Sequence, residues 1–354
     1  MYLPAGVYHE TYVATHAWWQ TTFVRAKMAL LVGFVVTLPL WTNLYVVSVA
    51  NIVLYTILSA LGVQLLIGYC GQITLGHAAF IAVGAYVTAM GVLFWGLPYP
   101  VAAILGCLLA GLWSVLFGLP SARIKGFYQI MTSMAAQFIT VDFIITKYVS
   151  RVGGREHYFS LPPGTVTIAG WPVDSEIKVY FLAAALTVLC MVAMANLLRT
   201  RVGRAWIAIR DNDIAAEAMG VNVVYYKLLA FFAAGVLAGA AGAVWIPSLL
   251  FVSPEHFQLS WGLWLVGVIL IGGIGSLHGV VFGSIFVTVM PELLRNYAVD
   301  PLSHVFPRLA QQFLYVKEAA FGLTIVLFLL YEPRGLAYRW QQTKNYFNLW
   351  PFPY

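Results

Sequence analysis

Residues 68–86 read GYCGQITLGHAAFIAVGAY. The stretch is apolar enough to lie in a bilayer, yet it carries Gln72, Thr74 and His77 among four glycines. Glycine permits irregular backbone, and at membrane depth such backbone is tolerated only inside protein or beside a water-filled cavity. A spanning helix interrupted near Gly71 to His77 is therefore expected. Two readings of its side chains stand together. Gln72, Thr74 and His77 hydrogen-bond a passing solute, or Gly76, Ala78 and Gly84 admit a neighbouring helix while His77 bonds to that neighbour.

The flanking sequence decides the class. The chain has 354 residues, 61% hydrophobic and 9% charged, and a mean hydropathy of +0.84. A soluble domain is roughly half apolar and a quarter charged. Ten apolar runs are legible, at 28–43, 45–67, 72–94, 98–120, 127–149, 177–198, 225–250, 259–273, 278–294 and 318–331. They are continuous rather than alternating, so helices are expected and not barrel strands. The expected fold is an all-α polytopic integral membrane protein of about ten transmembrane helices with glycine-broken spans. Its parts are a cytoplasmic N-terminal segment 1–26, a transmembrane domain 27–336 and a cytoplasmic aromatic and basic tail 337–354.

Orientation follows from Lys and Arg. With the N-terminus inside, Arg25, Lys27, Arg123, Lys125, Arg199, Arg201, Arg204, Arg210, Lys227, Arg334, Arg339 and Lys344 are cytoplasmic, twelve of the 19. Both termini are then expected inside, and 150–176 outside. Membrane lipid is an expected partner. Nucleic acid is not, because no basic cluster is interleaved with aromatics. Cys70, Cys107 and Cys190 lie in apolar runs and read as small hydrophobes, without metal spacing. No GxxxxGK[ST] occurs, so ATP phosphates are not cradled here by that device.

A second glycine cluster, GGIGSLHG at 272–279, lies in the other half of the chain. Paired glycine-interrupted segments point to a transport path built from repeats, which places Gly275 and His278 beside Gly71, Gln72, Thr74, Gly76 and His77 as path candidates. Gln137 and Asp142 join them, since an intramembrane carboxylate is costly and defaults to function. Asp142 has a rival explanation in Lys147 near the helix end. No paired buried carboxylates, metal-ligand cluster or activated serine is legible, so enzymatic chemistry and a metal site are not expected.

The inner loop RTRVGRAWIAIRDNDIAAEAMG, 199–220, is charged and helix-forming. One reading is an ordinary positive-inside loop. The other is a short helix that a moving partner grips. Arg210, Asp211, Asn212, Asp213 and Glu217 then supply polar contacts, Ala215, Ala216 and Met219 an apolar side, and Gly220 the helix end.

These residues resemble a known family. GYCGQITLGHAAFIAVGAY is similar to the GY-x-G-Q-x-S-LGHAAF-x-x-x-GAY signature of LivM-type permeases, the transmembrane subunits of bacterial ABC importers for branched-chain amino acids. RDNDIAAEAMGVNVVYYKLLAF (210–231) resembles that family's coupling loop, GGIGSLHGVVFGSIF (272–286) its GG-x-GS segment, and EPRGL (332–336) matches as well. Thr74 replaces a common Ser, Asp213 a common Glu, and His278 is an added polar group. The resemblance implies a bacterial inner-membrane permease, a homologous LivH-type permease partner, two cytoplasmic ATPase subunits carrying ATP and Mg, and a periplasmic solute-binding protein. This chain itself would hold no cofactor. Family members also carry urea, amides and aromatic acids. A secondary transporter and a structural membrane protein remain as alternatives, and copurification of a P-loop ATPase separates the first reading from both.

Overall fold

The computed structural model describes residues 22–124, 126–149, 158–168, 170–299 and 313–349. Most of the expected N-terminal segment, the Gly153-Gly154 region and the last five residues of the tail lie outside these. The order is α1 (Thr22–Trp41), α2 (Leu44–Val63, continuing as a π-helical turn Gln64–Tyr69), α3 (His77–Leu93), α4 (Tyr99–Arg123) and α5 (Phe127–Gln137, continuing π-helical through Phe138–Val149). Then follow α6 (Glu176–Arg199), α7 (Arg201–Asp211), α8 (Asp213–Ala218), α9 (Val223–Leu249), α10 (Leu259–Gly272), α11 (Leu277–Leu294), α12 (Phe313–Tyr331) and α13 (Gly335–Leu349). Two two-residue strand pairs, β1 (Phe159–Ser160) with β4 (Phe251–Val252) and β2 (Thr167–Ile168) with β3 (Trp171–Pro172), clasp the loops on one face.

All ten expected segments contain helix, and the chain is a polytopic all-α membrane protein. The count of complete crossings differs from ten. Among the described residues six helices are long and apolar enough to cross a bilayer, or seven if α12 and α13, bent by 46°, form one span. The difference lies partly in α3 and α10, which have 17 and 14 residues. The first follows non-helical backbone, and the second follows strand β4 and a single 3-10 turn, Pro254–Phe257. The run expected as a helix over 72–94 begins instead at His77, because the chain from Gly71 to Leu75 is extended or turning.

Helix directions follow from what the ends touch. Gly68, at the end of α2, accepts a hydrogen bond from Arg210 at the end of α7. The start of α5 and the loop before α11 meet the same face, through Gln129 beside Arg210 and through Gly275 against Gly68. The opposite face holds the end of α9, the strand pair β1–β4 and the outer end of α5. The chain from α2 to α5 thus runs long helix, break, short helix, two long helices. From α9 to α12 it runs the same order in the opposite sense.

Lipid gives helices no hydrophobic reason to associate, so small residues that let backbones touch do that work. The most deeply buried of the six is α9, and it packs on α3 and α4 through glycines. A Cβ on Gly84 would lie 2.5 Å from the Gly239 Cα, and one on Gly239 would lie 2.6 Å from the Cys107 Cα. Tyr99 seals the far end by donating to the Ala243 carbonyl at 2.9 Å. The Gly235-to-Gly242 run supplies that packing surface.

Gly239→Leu is expected to force α4 from α9 and to destabilise the fold by about 3 kcal/mol or more, as overpacking does. Gly322→Ala, where the added methyl meets nothing within 4 Å, is the neutral control. The midpoint of thermal aggregation followed by size-exclusion chromatography reads the difference, and equal midpoints would contradict the close-packing account.

Candidate translocation and coupling site

After Tyr69 the chain turns at Gly71, whose φ of 71° suits glycine, and climbs back into the bundle. His77 starts α3 against Gly62 of α2. Gly62 precedes Tyr69 by seven residues, about 10 Å of helix at 1.5 Å per residue, so α3 begins well inside the bundle. This segment re-enters the protein and its backbone needs partners there. The Gln72 amide donates to the Leu66 carbonyl at 2.8 Å. The Leu75 amide donates to Ser133 Oγ at 3.0 Å. Gln129 Nε2 donates to Gln72 Oε1 at 2.8 Å, joining the segment to α5.

Thr74 and His77 are 1% exposed, and neither Thr74 Oγ1 nor either His77 ring nitrogen has a hydrogen-bond partner among the described residues. The His77 ring stands edge-on to Phe80 with centroids 5.8 Å apart. Gly76 is closed in: a Cβ there would overlap the Ser133 carbonyl.

The second break, residues 250–258, descends from the opposite face and meets the first. A Cβ on Gly262 would overlap the Leu75 carbonyl oxygen. Gln137, 1% exposed, donates through Nε2 to the Phe257 carbonyl. Seven of the expected path residues are therefore brought to one connected region: Gly71, Gln72, Thr74, Gly76, His77, Gln137 and, through Gly68, Gly275. Two are elsewhere. Asp142 lines an open cavity of about 460 Å³ on the opposite face with Thr146, Tyr158, Ser253 and Glu255. His278 is exposed at the start of α11.

Around the inner loop, Asn212 caps α8 by accepting from the Ile214 and Ala215 amides at 3.1 and 3.0 Å. Asp213 pairs with Lys227 at 3.6 Å, and Lys227 is 3% exposed. Gly220 adopts φ 85° just past the helix, as a left-handed helix stop requires. Two expected contacts change. Ala216 is buried in this chain's own packing, so it does not belong to an outward apolar side. That side consists of Ile214, Ala215 and Met219, with Ile214 71% and Met219 85% exposed, and Glu217 is exposed beside them. Arg210 turns inward: Nη1 donates to the Gly68 carbonyl at 2.9 Å, while Nε and Nη2 contact Asp211 Oδ1 at 3.0 and 2.9 Å.

Sequence reasoning missed Gln64, Gln129, Ser133, Ile214 and the buried role of Lys227. The signal was present for the first three, polar residues in otherwise apolar helices. Gln64 Nε2 donates to the Gly273 and Ser276 carbonyls at 3.1 and 2.9 Å. Among the described residues no cluster of His, Cys, Asp and Glu could hold a metal ion.

A helical membrane bundle whose two antiparallel halves each carry a break between a long helix and a short one is the architecture of a transport permease. The chain belongs to the family described as the permease component of branched-chain amino acid transport systems, whose model matches residues 45–329. It is 28% identical over 299 residues to the high-affinity branched-chain amino acid transport system permease protein LivM of Escherichia coli, covering 78% of this chain and 69% of that one. It is likewise 28% identical over 291 residues to the LivM protein of Salmonella typhimurium, covering 76% and 68%. A third relative, the autoinducer 2 import system permease protein LsrC of an Enterobacter strain, is 33% identical over 118 residues, 32% of this chain and 34% of that one.

Gly76→Leu is expected to abolish solute uptake, since the side chain has no room against Ser133. His77→Ala removes a buried ring with unpaired nitrogens. Lost uptake with normal assembly assigns His77 to the path, and lost assembly assigns it to packing. Full uptake by correctly assembled Gly76→Leu would contradict the geometry.

Proposed function

We propose that the chain is one transmembrane subunit of an ATP-driven importer in a bacterial inner membrane. Its solute is a branched-chain amino acid or a similar small neutral or zwitterionic molecule. It pairs with a homologous LivH-type permease, receives solute from a periplasmic binding protein and is driven by two cytoplasmic subunits that hold ATP and Mg. The loop 199–222 then faces the cytoplasm together with both termini, and ATP chemistry stays on the partners.

The observation that carries this reading is the surface of α7 and α8. Ile214 and Met219 are large apolar side chains held in water-facing positions, on a loop whose inner side is tied to the bundle by Lys227. An exposed apolar ridge flanked by Asp211 and Glu217 is what a groove on a partner seats, with the ridge buried and the charges at the rim. The identity to LivM proteins favours amino acids, and that to LsrC proteins supports a second reading that differs in the solute alone.

Ile214→Glu combined with Met219→Glu is expected to reduce copurification of the ATPase and solute-stimulated hydrolysis by about tenfold or more, as loss of a buried apolar anchor does, while the permease itself elutes normally. Wild-type association of the double variant would remove α8 from the interface. Topology is checked separately with an impermeant thiol reagent. Single cysteines at Ser160 and Asn212 are expected to label from opposite sides, and labelling from one side would end the proposed orientation.

A further inference from the structure

Arg210 was expected at the partner surface; its side chain is 36% exposed, and its guanidinium also donates to this chain's own backbone. It lies where three separate segments meet. The first is the end of α2, whose Gly68 carbonyl accepts from Nη1 at 2.9 Å. The second is the turn at Gly71, where an added Cβ would sit 3.1 Å from the Arg210 Cα and Cγ. The third is the turn before α11, where a Cβ on Gly275 would sit 3.1 Å from Nη1 and 3.2 Å from the Gly68 carbonyl oxygen.

Both turns use positive φ, 71° at Gly71 and 78° at Gly275. The end of α2 touches the second turn, since a Cβ on Gly68 would lie 2.7 Å from the Gly275 amide nitrogen. Gln64, on α2 itself, holds that turn through the Gly273 and Ser276 carbonyls. Asp211 fixes the guanidinium from the solvent side and is 63% exposed. Arg210 is two residues from Asn212, the cap of α8. One side chain therefore joins the residues next to α8 to the end of α2 and to the α10–α11 turn.

We propose that Arg210 is the positioning residue that transmits movement of the α7–α8 loop to the first glycine break and to the α10–α11 turn together. The inference rests on the importer reading above. It assigns Arg210 a role inside this subunit, distinct from the partner contacts made by Ile214 and Met219. A residue that only capped α2 would change stability. A transmitting residue changes the number of ATP molecules hydrolysed per solute moved.

The test uses the complete importer in proteoliposomes, with leucine as the transported probe. Arg210→Ala is expected to keep ATPase copurification within about twofold of wild type. Uptake per ATP should fall by about tenfold or more, the scale of one lost charge-assisted hydrogen bond. Arg210→Lys, which keeps the charge but not the fork, is expected to recover only part of the ratio. Asp211→Asn supplies the second variant if Arg210→Ala does not assemble; its ATPase copurification is measured beside the ratio, and the expected result is a lower ratio with association within about twofold of wild type, which separates the loss of the guanidinium's anchor from the loss of a rim contact. Loss of ATPase association by Arg210→Ala as severe as that of the Ile214→Glu/Met219→Glu variant would overturn the proposal, because Arg210 would then be a partner contact. A wild-type ratio in assembled Arg210→Ala or in Asp211→Asn would overturn it too. Failure of the wild-type chain to recruit any ATPase would instead sink the importer reading, and the two failures are distinct.

Discussion

The structure depends on satisfying non-helical backbone inside a lipid-embedded bundle. A peptide group without a partner in such surroundings costs several kcal/mol, and two breaks expose many of them at once. Side chains from other helices meet the need: Ser133 for the Leu75 amide, Gln137 for the Phe257 carbonyl, Gln64 for Gly273 and Ser276, and Arg210 for Gly68. These polar residues explain why the apolar helices α2 and α5 are not uniformly apolar. Ordering α2, α5, α10 and α11 against one another is the consequence, since each break is partnered by helices from elsewhere in the chain.

Glycine makes the arrangement possible by removing side chains where these segments cross. At Gly76 and Gly262 a methyl group would overlap a carbonyl oxygen of the facing segment. At Gly71 and Gly275 the backbone itself demands a left-handed conformation. Close approach and turn geometry are different requirements. Their coincidence in two short stretches marks both as parts of one construction.

What was legible in the sequence follows from this physics. The apolar runs, their helical state and the unusual 68–86 segment could be read directly, because burial in lipid acts on each helix by itself. Gly71 and Gly275 were legible because glycine clusters are rare inside spanning helices. The short helices were not: 72–94 reads as one apolar run, and nothing local says that the residues before His77 are extended. Their extension is set by Ser133 and Gln129, more than fifty residues away in sequence. The surroundings of Asp142 were not legible for a related reason. Its depth depends on how far α5 rises beside the second break, which brings it to a cavity shared with Glu255.

The inner loop shows how a very short helix acquires a fixed place. A helix of six residues is too short to be stable alone in water. Three contacts hold α8: the Asn212 cap, worth about 1 kcal/mol in typical cases, the Asp213–Lys227 pair, and the burial of Ala216. All three come from this chain itself, and the exposed side chains of Ile214, Ala215 and Met219 supply none of them. A surface that is rigidly backed yet free of structural duties can exchange one partner geometry for another without unfolding. Because Lys227 lies near the start of α9 and Arg210 touches both glycine turns, that surface is joined to each half of the bundle on the same face.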